Sequence, residues 1–107
     1  MIYELRIYDA MPGKMRELNE RFANHATKYF AKHGMKMIGF WTEDIGTSNR
    51  ITYILAFEDL ADRDKKFTAF RADPDWGKAL RESEKNGPLT SKVTSVIMRP
   101  TSYSPLQ

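Results

Sequence analysis

A chain of 107 residues with 41% apolar and 29% charged residues has the size and composition of one folded domain, so we expect a single domain over residues 1–107. Its 17 basic and 14 acidic residues are interspersed without a basic stripe, and no apolar run approaches the ~18 residues of a membrane span, which argues against nucleic-acid binding and membrane insertion. The chain has no cysteine, which excludes disulfides and thiol nucleophiles. Met1 leads straight into a strand pattern without a basic and apolar leader, which predicts a cytoplasmic location.

The first predicted element is a strand over residues 2–8, in which apolar and polar side chains alternate. Successive residues of a strand point to opposite faces of a sheet. One face therefore carries Tyr3, Leu5 and Ile7, and the other carries Glu4, Arg6 and Tyr8. We expect the apolar face to pack on the core and the polar row to point away from the helices.

A helix and a hairpin follow. Apolar residues recur at helical spacing from Met15 to Tyr29, and the helix should reach His33, with Gly34 as its left-handed cap. Residues 35–42 are apolar and aromatic and predict a second strand. A polar, turn-forming segment at residues 43–49 separates it from a third strand over residues 51–57.

The second helical region is predicted to be broken in the middle. Asp59 is suited to cap its N-terminus, and Asp73 with Pro74 at the first helical position starts it afresh. It then continues to Asn86 and Gly87. Residues 92–98 read as a last strand, ahead of Pro100.

This element order is βαββαβ, which predicts a ferredoxin-like α+β sandwich with two helices on one face of a four-stranded antiparallel sheet. The third strand is apolar on both faces, with Tyr53 and Leu55 on one side and Ile54 and Ala56 on the other. An uncovered apolar sheet face usually marks an association surface. The sequence therefore predicts a homodimer packed sheet to sheet.

Short motifs in a particular order make the chain resemble the NIPSNAP family. They are Tyr3-Glu4-Leu5-Arg6-Ile7-Tyr8, Pro12-Gly13-Lys14, Gly39-Phe40-Trp41-Thr42 with Gly46 and Asn49, Ala72-Asp73-Pro74-Asp75-Trp76, Arg99-Pro100 and Ser104-Pro105. The resemblance covers essentially the whole chain. It implies a dimeric α+β barrel, the superfamily that also contains the antibiotic-biosynthesis monooxygenases, with a ligand cavity on the sheet face away from the helices. It implies no particular reaction.

The candidate ligand-binding residues are Glu4, Arg6, Tyr8 and Trp41. In a cavity, Arg6 would bind a carboxylate or enolate, Tyr8 would donate a hydrogen bond, and Glu4 would orient Arg6 or act as a base. Trp41 would form an aromatic wall. The alternation alone favours a solvated strand face for this row, and the position of Trp41 favours core or interface packing.

Cofactor motifs are absent from the sequence. His25 and His33, the two histidines, are poorly spaced on one helix to share a metal, and there is no glycine-rich phosphate loop or flavin motif. We therefore expect no metal and no cofactor. Three classes of function stay open: a small-ligand binding protein, a cofactor-independent enzyme of the monooxygenase-like type, and a non-catalytic interaction module.

Overall fold

The computed structural model describes all 107 residues, and its strands and helices alternate in the predicted order. The elements are β1 (Ile2–Ala10), α1 (Met15–Arg21), a π-helical segment (Phe22–Ala26), α2 (Thr27–Lys32), β2 (Lys36–Thr42), β3 (Arg50–Phe57), α3 (Leu60–Ala72), α4 (Pro74–Ser83) and β4 (Thr90–Met98).

The four strands form one sheet in the order β2-β3-β1-β4, and every neighbouring pair is antiparallel. Both helical regions pack on the same face, because Phe30 from α2 and Phe67 from α3 share a core cluster with Tyr53 and Leu55 of β3. The predicted ferredoxin-like α+β sandwich is confirmed. No helix is both long enough and apolar enough to cross a membrane.

The helix boundaries have the predicted capping residues. The Asp59 carboxylate accepts a hydrogen bond from the Asp62 amide at 2.8 Å, and the Asp73 carboxylate accepts one from the Asp75 amide at 2.9 Å. Gly34 ends the first helical region with φ +72°, a left-handed conformation that side chains disfavour. Local chemistry therefore determines where these helices begin and end.

The first helical region is not one uniform α-helix as the periodicity predicts. A π-helical turn over Phe22–Ala26 interrupts it, and the Thr27 amide there bonds the carbonyl of Phe22 five residues back. The Thr27 hydroxyl also donates to that carbonyl, at 2.9 Å. Single π-helical turns often occur at functional sites, and this one lies where the helix faces the sheet.

The predicted orientation of β1 is wrong. Glu4, Arg6 and Tyr8 point toward the helices: Arg63 of α3 bonds Glu4, and the Tyr8 ring packs against Phe22. Alternation alone allows either face of β1 to lie beneath the helices. The polar residues of β1 can be buried there because their charges are paired with groups such as Arg63.

The other residues of β1 lie on the sheet face that carries no helices, which we call the open face. Leu5 pairs with Ile54 on β3 and with Val96 on β4, and directly paired residues share a face. The C-terminal residues cover one end of this face, since the Tyr3 hydroxyl donates to the carbonyl of Gln107 at 2.6 Å. The rest of this face carries Leu5, Ile7, Ile54 and Val96 together with Thr52 and Thr94, and Val96 is 43% exposed.

Candidate functional site

A network of charged side chains lies between β1 and helix α3, with Glu4 at its centre. The Glu4 side chain is fully buried. Its Oε1 accepts a hydrogen bond from Arg63 Nε at 2.6 Å, and its Oε2 accepts bonds from Arg6 Nη1 at 2.8 Å and Ser95 Oγ at 2.6 Å. One buried carboxylate on β1 therefore connects to α3 through the guanidinium of Arg63 and to β4 through the hydroxyl of Ser95.

These contacts keep Glu4 ionised. Burial by itself raises the pKa of the carboxyl, but hydrogen bonds from Arg63, Ser95 and Arg6 outweigh it and lower the pKa to about 2. A carboxylate with such a low pKa is a poor proton acceptor near pH 7. Glu4 therefore orients Arg6, and the structure argues against the alternative role as a base.

Arg6 connects Glu4 to a pair of tyrosines. Its Nε donates to the Tyr53 hydroxyl at 2.7 Å, and its Nη2 donates to the Tyr8 hydroxyl at 3.0 Å. Burial alone would lower the pKa of Arg6, but the oxygens of Tyr53, Tyr8 and Glu4 raise it above the ordinary arginine value. Arg6 is thus permanently charged and held in one orientation.

The Tyr8 hydroxyl is left free to donate. It accepts hydrogen bonds from Arg6 and, at 3.4 Å, from the Tyr53 hydroxyl. Burial raises the pKa of Tyr53 well above the usual tyrosine value, with a smaller contribution from Tyr8, so Tyr53 keeps its proton. Since both neighbours donate to the Tyr8 oxygen, the Tyr8 proton can point to a ligand, and the adjacent cation makes it a stronger donor.

Arg6, Tyr8 and Tyr53 form one wall of a cavity of about 390 Å³ between the sheet and the helices. This volume is at the lower end of the range of small-molecule sites. Aromatic side chains of the helices supply much of the remaining wall: Phe22, Phe30, Phe67, Phe70 and Trp76. The Trp76 ring lies 4.8 Å from the ring of Phe70 and 6.1 Å from that of Tyr29. Trp76 thus packs α4 onto the preceding helices and also lines the cavity.

The charged groups lining the cavity are mostly cationic. Three arginines, Arg6, Arg21 and Arg71, face one carboxylate, Glu84. Arg71 lies over the Phe67 ring at 4.8 Å, a cation–π contact that leaves its N–H groups free. A cavity with this lining favours a ligand that is both apolar and negatively charged.

The structure separates the four predicted site residues. Arg6 and Tyr8 line the cavity, and Glu4 lies behind Arg6 as a buried partner. Trp41 is absent from this cavity: it is 51% exposed and pairs with Thr52 toward the open face. The expectation that all four share one cavity is therefore wrong, and ligand binding by Arg6 and Tyr8 stays a prediction.

Reasoning from the sequence alone missed three of the arginines: Arg71 and two that lie at the spacing of the buried helix stripes. Arg21 follows Leu18 by three residues, and Arg63 precedes Phe67 by four, so both lie at the spacing of the buried helix stripe. An arginine within an apolar stripe is the signal that could have identified each of them. Such a residue is either paired beneath the helix, as Arg63 is, or faces a cavity, as Arg21 does.

Neither of the two histidines lines this cavity. His33 Nε2 lies 2.7 Å from an oxygen of Asp73, a contact that connects the end of α2 to the start of α4. His25 is exposed. No group of three or more His, Cys, Asp or Glu side chains has the geometry to hold a metal ion.

The sandwich and its helix-to-sheet cavity place the chain among the ferredoxin-like α+β proteins. A structure described as an antibiotic biosynthesis monooxygenase from Nitrosomonas europaea has the same fold, with a TM-score of 0.66, 11% identity, and coverage of 94% of this chain and 98% of the other. At this identity the likeness concerns the fold alone. The NIPSNAP family model matches residues 3–105, and the chain belongs to the NIPSNAP family.

Individual relatives agree with this assignment. The chain is 34% identical over 106 residues to Protein NipSnap homolog 1 of Danio rerio, covering 99% of this chain and 36% of that protein. A NIPSNAP-like domain protein of Burkholderia xenovorans superposes with a TM-score of 0.85 at 31% identity, over 97% of this chain and 88% of the other. A NIPSNAP family protein of unknown function from Agrobacterium tumefaciens gives 0.88 at 28%, over 100% and 94%. The chain thus spans about a third of the curated relatives' length.

Proposed function

We propose that this NIPSNAP domain binds a small organic anion in the cavity between its sheet and its helices. The observation that carries the proposal is the Arg6–Tyr8 wall: a charged guanidinium and a free hydroxyl donor, both held by protein contacts, face an aromatic-lined space. Convergent polar groups in an apolar pocket are the usual mark of a ligand site. Because Glu4 and Tyr53 hold Arg6 in place, little ordering is needed when an anion binds.

The test is a screen of small carboxylates by thermal shift and native mass spectrometry, on the wild type and on Tyr8→Phe. This change removes only the hydroxyl that faces the cavity, so hits should bind several-fold more weakly to the variant. Tyr3→Phe is the matched control, because Tyr3 lies on the same strand and its hydroxyl bonds the C-terminal carbonyl on the opposite face. Hits that bind equally to all three proteins would refute the proposed site.

We further propose that two copies pack through their open faces to form a homodimer. This proposal is supported by the apolar row formed by Leu5, Ile54 and Val96, which no helix covers, and by the dimeric barrel that the family resemblance implies. Burial of such a row is the main driving force for association.

Two valines of β4 provide a matched pair of variants for the dimer. Val96 on the open face is 43% exposed, and Val93 on the helix-facing side is 44% exposed. We expect light scattering to give about twice the 12.4 kDa chain mass for the wild type and for Val93→Asp. Val96→Asp should be monomeric. Equal masses for both variants would contradict packing through the open face.

A second candidate function is cofactor-independent catalysis in the same cavity, favoured by the polarised hydroxyl of Tyr8. Such a donor stabilises negative charge that develops on a carbonyl or enolate oxygen. The distinguishing measurement is turnover: incubation of each ligand found in the screen, with analysis of the products by mass spectrometry. Unchanged ligand throughout favours a binding protein. If the protein is instead a non-catalytic interaction module, the exposed apolar open face is the surface that would bind its partner.

The cytoplasmic location remains a prediction from the sequence.

A further inference from the structure

The cavity has a second cationic position, Arg21, at the end of helix α1. The side chain is 7% exposed, so its charge is almost completely removed from water. Its one hydrogen bond within the protein goes from Nη1 to the Ser83 hydroxyl, at 3.3 Å. A guanidinium has five N–H donors, and most of those of Arg21 therefore have no protein acceptor.

The nearest carboxylate only partly compensates this charge. Glu84 Oε2 lies 3.9 Å from Arg21 Nη1, beyond hydrogen-bond distance, and Glu84 is itself about one-third exposed. Burial lowers the pKa of Arg21, and the attraction of Glu84 does not restore it. Arg6 is different, because its carboxylate partner Glu4 lies at 2.8 Å and is fully buried. A buried cation without a close anion is costly, so an anion that binds there is stabilised.

The surroundings of Arg21 indicate from which side an anion reaches it. On its outer side a surface groove contains three carboxylates, Glu17, Glu20 and Glu82, against one lysine, Lys85, so apart from Arg21 its charge is net negative and repels anions. On its inner side the cavity contains Arg6 and Arg71 and the single carboxylate Glu84. The electrostatic potential therefore favours an anion that approaches through the cavity.

No buried side-chain nitrogen or oxygen of this protein lacks a hydrogen-bond partner. The N–H groups of Arg21 that have no protein acceptor are therefore the ones that retain some exposure. Arg21 lines both the outer groove and the cavity, and the Phe22 ring, next to it in sequence, lies 5.1 Å from the Tyr8 ring. Arg21 on the helix side and Tyr8 on the sheet side thus line the same cavity.

We propose that the cavity selects an aromatic carboxylate whose carboxylate group displaces Glu84 and pairs with Arg21. The aromatic ring lies among Phe22, Phe67 and Phe70, and a polar oxygen at the opposite end accepts a hydrogen bond from Tyr8. In the absence of a ligand, the Glu84 carboxylate partly neutralises the positive charge of Arg21. The inference rests on the proposed function and adds to it the class of ligand and the residue that recognises its charge.

The test uses 4-hydroxycinnamate as a probe and its uncharged amide, 4-hydroxycinnamamide, as the matched control. The chain has two tryptophans, and Trp76 lines the cavity while Trp41 does not. Trp41→Phe therefore leaves Trp76 as the sole fluorescent reporter of cavity binding. In this background we expect the carboxylate to quench Trp76 and to bind about tenfold or more tightly than the amide, as a charge-assisted pair implies.

Two further variants assign the preference to Arg21. Arg21→Met should abolish the discrimination between the probes, because it removes the charge and keeps an apolar stem. Glu84→Gln should strengthen binding of the carboxylate at least about threefold and leave that of the amide unchanged, because the competing charge is gone. Circular dichroism checks that each variant is folded, and Arg21→Lys provides a charged replacement if Arg21→Met does not fold.

The outcomes separate the two proposals. Equal binding of both probes, with quenching of Trp76, overturns the role of Arg21 and leaves the ligand cavity standing. A preference for the carboxylate that persists in Arg21→Met, or in Arg21→Lys without loss of affinity, also overturns it. Failure of both probes to quench Trp76 at millimolar concentration overturns the aromatic-carboxylate cavity, and the proposed function is overturned with it only if the screen of small carboxylates also finds no ligand.

Discussion

Replacing the buried carboxylate at the centre of the network, Glu4→Gln, tests whether the charge of Glu4 holds the sheet and helix α3 together. Glutamine has nearly the same shape, so the change creates no cavity. Its amide nitrogen is a donor, and it would face the donors of Arg6 and Arg63. The variant therefore loses at least one charge-assisted hydrogen bond. It leaves Arg6 without an anion, while Arg63 keeps only its pair with the exposed Asp64 at 3.2 Å.

The size of the effect follows from the pKa of Glu4. The hydrogen bonds lower this pKa from 4.5 to about 2, and a tenfold change in the acid dissociation constant on folding corresponds to about 1.4 kcal/mol of free energy of unfolding. The ionised Glu4 thus contributes about 3 kcal/mol at neutral pH. Because the folded-state pKa is the lower one, this contribution is complete above about pH 5. It is lost as the pH falls from there toward 2.

The assay is urea denaturation of the wild type and Glu4→Gln at pH 7 and at pH 3. We expect Glu4→Gln to be about 3 kcal/mol less stable at pH 7, and the difference to shrink at pH 3. Glu20→Gln is the control, because the Glu20–Arg16 ion pair is exposed and should contribute at most about 1 kcal/mol at either pH. A difference for Glu4→Gln that is small at pH 7, or equal at both values, would refute the role assigned to the charge.

Three further predictions concern residues in the helices that cover the cavity or at the ends of those helices. Phe70→Ala should reduce the free energy of unfolding by about 3–5 kcal/mol in urea denaturation, because Phe70 is buried against Trp76; a loss below about 1 kcal/mol would contradict its place in the core. Gly34→Ala should cost about 1–2 kcal/mol, since Gly34 has φ +72° with space for a Cβ, and an unchanged melting temperature would argue against that conformation. Hydrogen bonds from Lys32 and His33 hold the pKa of Asp73 well below its usual range, so its charge stabilises the fold above the ordinary aspartate pKa and this contribution disappears in acid. Asp73→Asn should therefore melt at a lower temperature at pH 7 and approach the wild type near pH 2; a constant difference at both would contradict the reasoning.

Local patterns in the sequence were enough to predict the order of the elements and most of their boundaries. Asp59, Asp73 and Gly34 act through their own backbone neighbours, so their capping roles follow from local chemistry and are confirmed by the structure. The two-sided apolar pattern of β3 likewise predicted a covered face and an open one. The alternation of side chains along a strand is a local property, so it can be recognised without knowing which distant element packs against that strand.

Contacts between distant elements determine which face of β1 lies beneath the helices, and this orientation places Arg6 and Tyr8 in the cavity. Alternation in a strand is symmetric: turning the strand over exchanges the two rows without changing the pattern. The choice depended on Arg63, 59 residues away from Glu4 in sequence, whose guanidinium makes burial of the polar row possible. The cavity role of Arg21 was hidden for the same reason. Whether a buried charge is paired or open to a ligand depends on contacts between elements that no local pattern specifies.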